Sequence, residues 1–401
     1  MTGARRVALV VQRYGVEVNG GAELLARRVA GLLSGAVELT VLTTCALDYR
    51  TWENHYPPGV QEVEGVRVER FPVSEARDPE AFDRISLAAY AAPEDRGLGW
   101  SWMDAQGPRA PGLLEALRRR GREWDAVAFV TYLYATTASA IGIVGDRAIL
   151  APTLHDEPPA RLAIFDEVFD AARLVLFSTD EEREFARRRF GVGDDRARVV
   201  GAGLDPPPES DGDAFRARIG GRAYALCLGR IDASKGVVDL VGMHARYRRA
   251  RPDGLDLVLV GGGDAALPEH PWLHRTGYVD EQTKHDALAG AEMVVVPSAY
   301  ESLSFSQLEA WSHGRPTLAN AGSAVLVGQS RRSGGGLWYA DRDEYAVMLD
   351  LLARSGAIAE ALGRQGRRFV EAHCGWDHVR DSWLAAIEDV AAQVVRLHSP
   401  G

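Results

Sequence analysis

The sequence predicts an α/β protein of two doubly wound domains facing a cleft. Three observations carry that prediction. At 401 residues the chain exceeds one ordinary core and suits two domains of about 200 residues each. Short apolar runs alternate with amphipathic helical patterns in both halves, as parallel sheets covered by helices require. Between the halves lies Asp205-Pro206-Pro207-Pro208, followed by an acidic ESDGD run. Three prolines continue neither strand nor helix, and the composition is that of a linker.

In the first half, residues 7–12 read as a buried parallel strand. A polar loop ending at Asn19 leads to Gly20-Gly21-Ala22-Glu23, which opens an amphipathic helix to about Leu33. Residues 37–45 form the next strand, and 62–73 alternate around Gly65 as a hairpin or edge pair. Periodicity fails over 74–111, which holds Trp100, Trp102 and several glycines and prolines. A stretch of that length is a lid, a binding loop or a decoration, and its tryptophans could stack on a sugar or touch lipid. Alternation then resumes with a helix over 112–122, a strand over 126–134, a small helix, and a strand over 148–154 ending in His155-Asp156. Helix 160–172, strand 174–178, capped helix 179–190 and strand 199–204 complete this half.

The second half begins again with strand 224–228, helix 236–249 and strand 255–260. Helix 281–289 and strand 293–296 follow, then a helix that carries Glu309. A turn at 333–336 precedes helical patterns over 343–353 and 358–372, and 376–397 reads as one long helix. The domains are therefore expected at 1–205 and 206–375, with a C-terminal helix, 376–401, crossing back to the first domain.

Bulk composition removes several functions. Hydrophobic content of 46% with 25% charged residues is ordinary for a soluble globular protein. A net charge of −10 argues against a nucleic-acid partner. The three cysteines, Cys45, Cys227 and Cys374, lie far apart without ligand spacing, which supports neither a disulfide framework nor a zinc site. The one Asp-x-Asp, Asp211-Gly212-Asp213, falls in the linker away from the strand ends, so no metal is expected. The start carries no signal-peptide pattern, and no run reaches the roughly 18 apolar residues of a membrane helix. A cytoplasmic protein is the expectation, with peripheral contact at the inner membrane face if the acceptor is lipid-linked.

Chemistry concentrates in residues 294–316. A short apolar run passes through a polar turn holding Glu301 into a helix holding Glu309, closed by Gly314 and Pro316. Such a strand-to-helix turn presents free N–H groups and the positive end of a helix dipole at the carboxyl edge of a sheet. Open α/β sheets bind ligands there. Two carboxylates flanking a phosphate-ready turn suit a ligand with both hydroxyls and phosphates, such as a nucleotide sugar. A second strand end, Gly229 to Gly236, sends Arg230 and Lys235 from one short loop, two cations that suit a diphosphate. Gly261-Gly262-Gly263 fits a dinucleotide fingerprint in letters only, because Pro268 and Pro271 interrupt the helix that fingerprint needs. Gly20 and Gly21 form either a phosphate-facing turn or a plain tight turn. His155 is either structural or a cleft residue at a strand end.

GRIDASKG, VGGG, GYVDEQTKHDALAGAEMVVVPS and ESLSFSQLEAWSHGRP, together with NGGAE and His155, resemble family 4 of the retaining glycosyltransferases. These are the group 1 glycosyltransferases of GT-B architecture, built from two Rossmann-like domains. The resemblance implies a retaining, metal-independent, cofactor-free transfer of a hexose from a UDP- or GDP-linked sugar. The acceptor would be a glycan, a lipid-linked sugar or a small molecule, bound in the first half. The resemblance further implies that Arg230 and Lys235, on the loop headed by Gly229, hold the donor diphosphate. Glu309 would bind the ribose hydroxyls and Glu301 the hexose hydroxyls. Backbone at Ser302, Leu303 and Ser304 would approach sugar and phosphates, and Gly277, Tyr278 and Val279 would border the base. Gly20 and Gly21 would meet the donor from the other domain, and His155 would stand near the donor sugar. One departure stands out: the family often has Glu-Gly-Phe-Gly where this chain has Glu301-Ser302-Leu303-Ser304, which could tighten the sugar pocket. The rival readings are a sugar-nucleotide epimerase of the same fold, a glycosidase using Glu301 and Glu309, and a non-catalytic nucleotide-sugar binder.

Overall fold

Most strands form where apolar runs can be covered on both faces, and among the described residues the first half builds eight strands. They are β1 (Arg6–Val10), β2 (Glu38–Thr44), β3 (Gly59–Val63), β4 (Val66–Phe71), β5 (Ala126–Val130), β6 (Ala148–Ala151), β7 (Leu174–Phe177) and β8 (Ala197–Val199). The computed structural model describes residues 4–18 and 20–398, so Asn19 of the glycine turn lies outside the described residues. The sheet order is β3-β4-β2-β1-β5-β6-β7-β8. Every pairing is parallel except the β3–β4 hairpin. β5, β6 and β7 are buried along their whole length, as a sheet covered by helices on both sides demands. The direction of strand addition reverses between β1 and β5.

Residues 74–111 are not irregular, which corrects the sequence expectation. They hold two capped helices, Pro79–Ala91 and Arg96–Gln106. Asp78 accepts hydrogen bonds from the N–H groups of Glu80 and Ala81, and Asp95 accepts one from Leu98. The helical period is broken in the sequence by glycines that serve packing: a Cβ on Gly99 would stand 2.8 Å from the Ile164 side chain. Trp102 is fully buried, its Nε1 donating to Ser86 Oγ at 2.9 Å, and Trp100 packs against the same core. Neither tryptophan is the exposed stacking platform that the sequence suggested. The strand expected over 199–204 is found instead at Ala197–Val199, sharing only Val199 with that span.

The second half builds β9 (Tyr224–Leu228), β10 (Asp256–Val260), β11 (Leu273–Gly277), β12 (Met293–Val296), β13 (Thr317–Asn320) and β14 (Gly336–Tyr339). All pair in parallel, in the order β11-β10-β9-β12-β13-β14. This is the dinucleotide-fold order, with its reversal between β9 and β12. β11, β13, β14 and the helix Ala324–Ser333 escape sequence reading. The sequences of these strands, LHRTG, TLAN and GLWY, lack the continuous apolar run that marks β10 and β12. The acidic stretch after the prolines ends as a helix start: Asp211 Oδ1 accepts from Ala214 N at 2.9 Å and opens the helix Gly212–Arg218.

Two compact units result, Met1–Gly201 with Asp377–Gly401, and Ala202–Trp376. The long C-terminal helix Trp376–His398 thus belongs to the first unit for nearly all its length. Arg5 fixes it there through Glu388, with Nη2 2.9 Å from Oε2. Among the described residues, no helix is long and apolar enough to cross a membrane.

Glu182 ties together the carboxyl ends of β6 and β7. It is buried, and its two oxygens accept from Leu154 N and Ser178 N, each at 2.6 Å. Burial raises its carboxyl to about 8, against the pull of those N–H groups and that of Thr179. Leu154 precedes His155, so this carboxyl group sets the path of the chain into that histidine. Glu182→Ala strips two buried N–H groups of their acceptor and is expected to cost roughly 2–5 kcal/mol. The shift in urea midpoint at neutral pH measures it, and a change under about 0.5 kcal/mol rules this role out.

Candidate active site

In the second unit, the loops after β9 and β12 emerge side by side at the reversal of strand order, where the sheet edges diverge. After β9, Gly229 takes φ 129° and the chain makes a single turn, Ala233–Lys235. Asp232 caps that turn, Oδ1 accepting from Lys235 N at 3.0 Å and from Ser234 Oγ at 2.6 Å. Gly236 closes it at φ 74°, and a Cβ there would sit 2.6 Å from the Pro297 carbonyl at the end of β12. Asn320 Nδ2 donates to that same carbonyl at 2.8 Å. The two loops are thereby locked together.

Their contact is ionic. Lys235 Nζ lies 2.7 Å from Glu301 Oε1, and the glutamate side chain is 13% exposed. Arg230 leaves the same loop and has Asp232 Oδ2 at 3.4 Å among its contacts. Ser304 caps the helix Phe305–Ser312, Oγ accepting from Gln307 N at 3.3 Å. The Ser304 side chain is buried as a cap, and Leu303 packs with Leu308 and Trp311. Ser302 stays partly exposed in the turn.

Glu309 has a partner that sequence reading missed. Lys284, on the helix Glu281–Gly290, places Nζ 2.8 Å from Glu309 Oε1 and 2.6 Å from Glu281 Oε2. Burial pulls the Lys284 ammonium down, but Glu309 and Glu281 more than offset it and leave its pKa raised. Beside it, His285 Nδ1 lies 2.8 Å from His313 Nε2, a second bond between the same two helices. Burial, then its neighbour His285 and Arg315, push His313 down to about 4. Burial and Lys284 lower His285 as well. The run DEQTKHD reads as a solvated face, and only the placement of two helices turns Lys284 and His285 inward.

The glycine triplet serves close packing. A Cβ on Gly261 would collide with the Gly229 carbonyl, one on Gly263 with the Ile231 carbonyl, and one on Gly262 with the Tyr278 ring. Ile231 N donates to Gly262 O at 2.9 Å across that contact. Tyr278 itself is 69% exposed, and Val279 packs against the core.

Gly20, Gly21 and His155 belong to the first unit and lie at the carboxyl edge of its own sheet. There Glu23 pairs with Arg13 in a buried contact and accepts from Gln12 Nε2 at 2.9 Å. A Cβ on Gly20 would collide with the Glu23 carboxylate, which accounts for a glycine in NGGAE. His155 Nδ1 is 3.4 Å from Glu157 Oε1, which also accepts from Tyr132 OH at 2.7 Å. Among the described residues, no group of three or more histidine, cysteine or acidic side chains is placed to hold a metal ion.

Residues 222–353 match the family model described as glycosyl transferases group 1. A GDP-mannose-dependent alpha-(1-6)-phosphatidylinositol monomannoside mannosyltransferase of Mycobacterium tuberculosis is 32% identical over 285 residues, covering 61% of this chain and 70% of that protein. The chain belongs to the group 1 glycosyltransferases. A D-inositol 3-phosphate glycosyltransferase of Kribbella flavida is 30% identical over 264 residues, and the match spans 60% of this chain and 62% of that relative's length. Among solved structures, this group 1 glycosyltransferase resembles sucrose-phosphate synthase from Thermosynechococcus elongatus, with a TM-score of 0.72 and 18% identity over 97% of this chain and all of the other. It also resembles Anabaena Alr3699/HepE in complex with UDP and glucose, at 0.69 and 15% over 96% and 100%. The fold is that of GT-B glycosyltransferases.

The His285–His313 pair makes stability depend on pH. The folded chain holds both imidazoles neutral, and an unfolded histidine titrates near 6.5. The contribution is therefore full above about pH 6.5 and is lost as pH falls toward the folded value of His313, about 4. The urea midpoint should drop more steeply between pH 7 and 4.5 in the native chain than in His313→Gln; parallel profiles overturn this.

Proposed function

We propose that this chain is a retaining, metal-independent glycosyltransferase that moves a hexose from a nucleoside-diphosphate sugar to a hydroxylated acceptor. The observation that carries the reading is the Lys235–Glu301 pair, set where β9 and β12 part and next to a helix start. As the glycosidic C–O bond breaks, negative charge grows on the leaving diphosphate. Lys235, Arg230 and the N-terminus of the helix Phe305–Ser312 are fixed positive groups that stabilise it. The departing phosphate oxygen accepts the acceptor's proton on the face it leaves, which gives retention without a separate base.

In this reading the glutamates are hydroxyl readers, Glu301 for the hexose and Glu309 for the ribose. Each faces a lysine ammonium, whereas a glycosidase acid needs a carboxyl group shielded from cations. Ser302, Leu303 and Ser304 supply backbone to sugar and phosphates, Tyr278 and Val279 border the base, and Gly20, Gly21 and His155 serve the donor from the first unit. The names of relatives support a nucleotide-sugar donor: one is GDP-mannose-dependent, and solved neighbours are complexes with UDP or UDP-glucose. The inositol phosphate and phosphatidylinositol mannoside named for the relatives are the acceptor classes to try first.

A thermal-shift panel of UDP, GDP, dTDP and their sugars should give a clear shift with one base. That donor should then release nucleoside diphosphate only when an acceptor is added. Release without acceptor would indicate hydrolysis or epimerisation, and binding without any turnover would indicate a sensor. Lys235→Ala should lower kcat by about 10²–10³-fold while nucleoside affinity holds within about twofold. Equal losses in both would remove Lys235 from the transition state.

A further inference from the structure

Lys284 is the strongest feature of the second unit that the proposed chemistry leaves unused. Its ammonium has three N–H donors, of which Glu309 and Glu281 take two. The Lys284 side chain is 21% exposed, and Glu281 is an outer partner at 80% exposure. Glu309, at 17%, offers Oε1 to the lysine, while no donor meets its Oε2 among the described residues. The inner pair thus presents one unused acceptor and one unused donor side by side. The His285–His313 bond holds the two supporting helices in register one step away. Asp280 fixes the start of the lysine's helix by accepting from Thr283 N at 2.7 Å.

A vicinal diol asks for that arrangement. One hydroxyl donates to the free carboxylate oxygen while its neighbour accepts from the ammonium, so the two hydroxyls are met by groups of opposite hydrogen-bond character. We propose that Lys284 is a ligand-binding residue which, with Glu309, reads the 2′,3′-diol of the donor nucleoside. The inference rests on the reading above that Glu309 faces the ribose. Lys284 also keeps the carboxylate in place, because a part-buried Glu309 without a cation is an uncompensated charge.

The test measures binding of UDP and GDP, each against its 2′,3′-dideoxy form, by calorimetry on the full chain. The native chain should prefer the ribonucleotide by about 10–100-fold, the range of one or two hydrogen bonds to charged groups. Lys284→Met should shrink that preference about tenfold while affinity for the dideoxy form stays within about twofold. Lys284→Arg, which keeps a cationic donor, should retain most of the preference and separates lost recognition from lost folding. If Lys284→Met weakens both forms equally, or leaves the preference intact, the diol role is overturned. Should Glu309→Gln abolish the preference while Lys284→Met preserves it, the ribose reading stands and the lysine's part in it falls. A native chain that binds neither diphosphate overturns both together.

Discussion

The ion pair between Lys235 and Glu301 is the contact on which the second unit's site depends. It joins two loops that leave neighbouring strands at the one place where the sheet's order reverses. Removing one partner leaves the other charge without compensation, at a cost that the burial of Glu301 raises and the partial exposure of Lys235 lowers. That cost explains the surrounding detail. Gly236 lets the first loop touch the Pro297 carbonyl, Asn320 holds that carbonyl from the next strand, and Asp232 sets the turn that aims the lysine. Together these contacts frame the two charges, which meet at 2.7 Å.

The first unit repeats the theme with a different outcome. Its sheet also reverses, between β1 and β5, and there too a cation and a carboxylate meet, Arg13 with Glu23. That pair is fully buried and further bound by Gln12 and by the Leu47 carbonyl, which accepts from Arg13 Nη1 at 2.7 Å. Burial decides what such a pair can do. A sealed pair braces the loop after β1, whereas a partly open one can trade its protein partner for an anionic or hydroxylated ligand.

Much of this was legible in the amino-acid order. β9 and β12 are continuous apolar runs, and Arg230, Lys235 and Glu301 stand out as charged groups just past the carboxyl ends of those strands. What the order hides is partnership across distance. Lys284 sits in a polar run that reads as a solvated helix face, and its 25-residue separation from Glu309 leaves no local trace. The helices of 74–111 were hidden for another reason. Gly97 and Gly99 look like breakers in a string of letters, yet Gly99 is where the helix meets Ile164. Ser304 was visible as a departure from the family pattern, and its work as a helix cap becomes plain only once the start of that helix is fixed.

The glycine triplet after β10 also divides its surroundings by how far they can vary. At Gly261 and Gly263 the obstructing atoms are main-chain carbonyls, which no rotamer change can move aside. At Gly262 the obstacle is the ring of Tyr278, a side chain that is itself mostly in solvent. Substitution tolerance therefore runs in one direction: Gly262 can change if the Tyr278 ring moves aside, whereas a side chain at Gly261 or Gly263 would press on the main chain after β9. Variation along this stretch therefore has its freedom at Tyr278, with the backbone beneath it held constant.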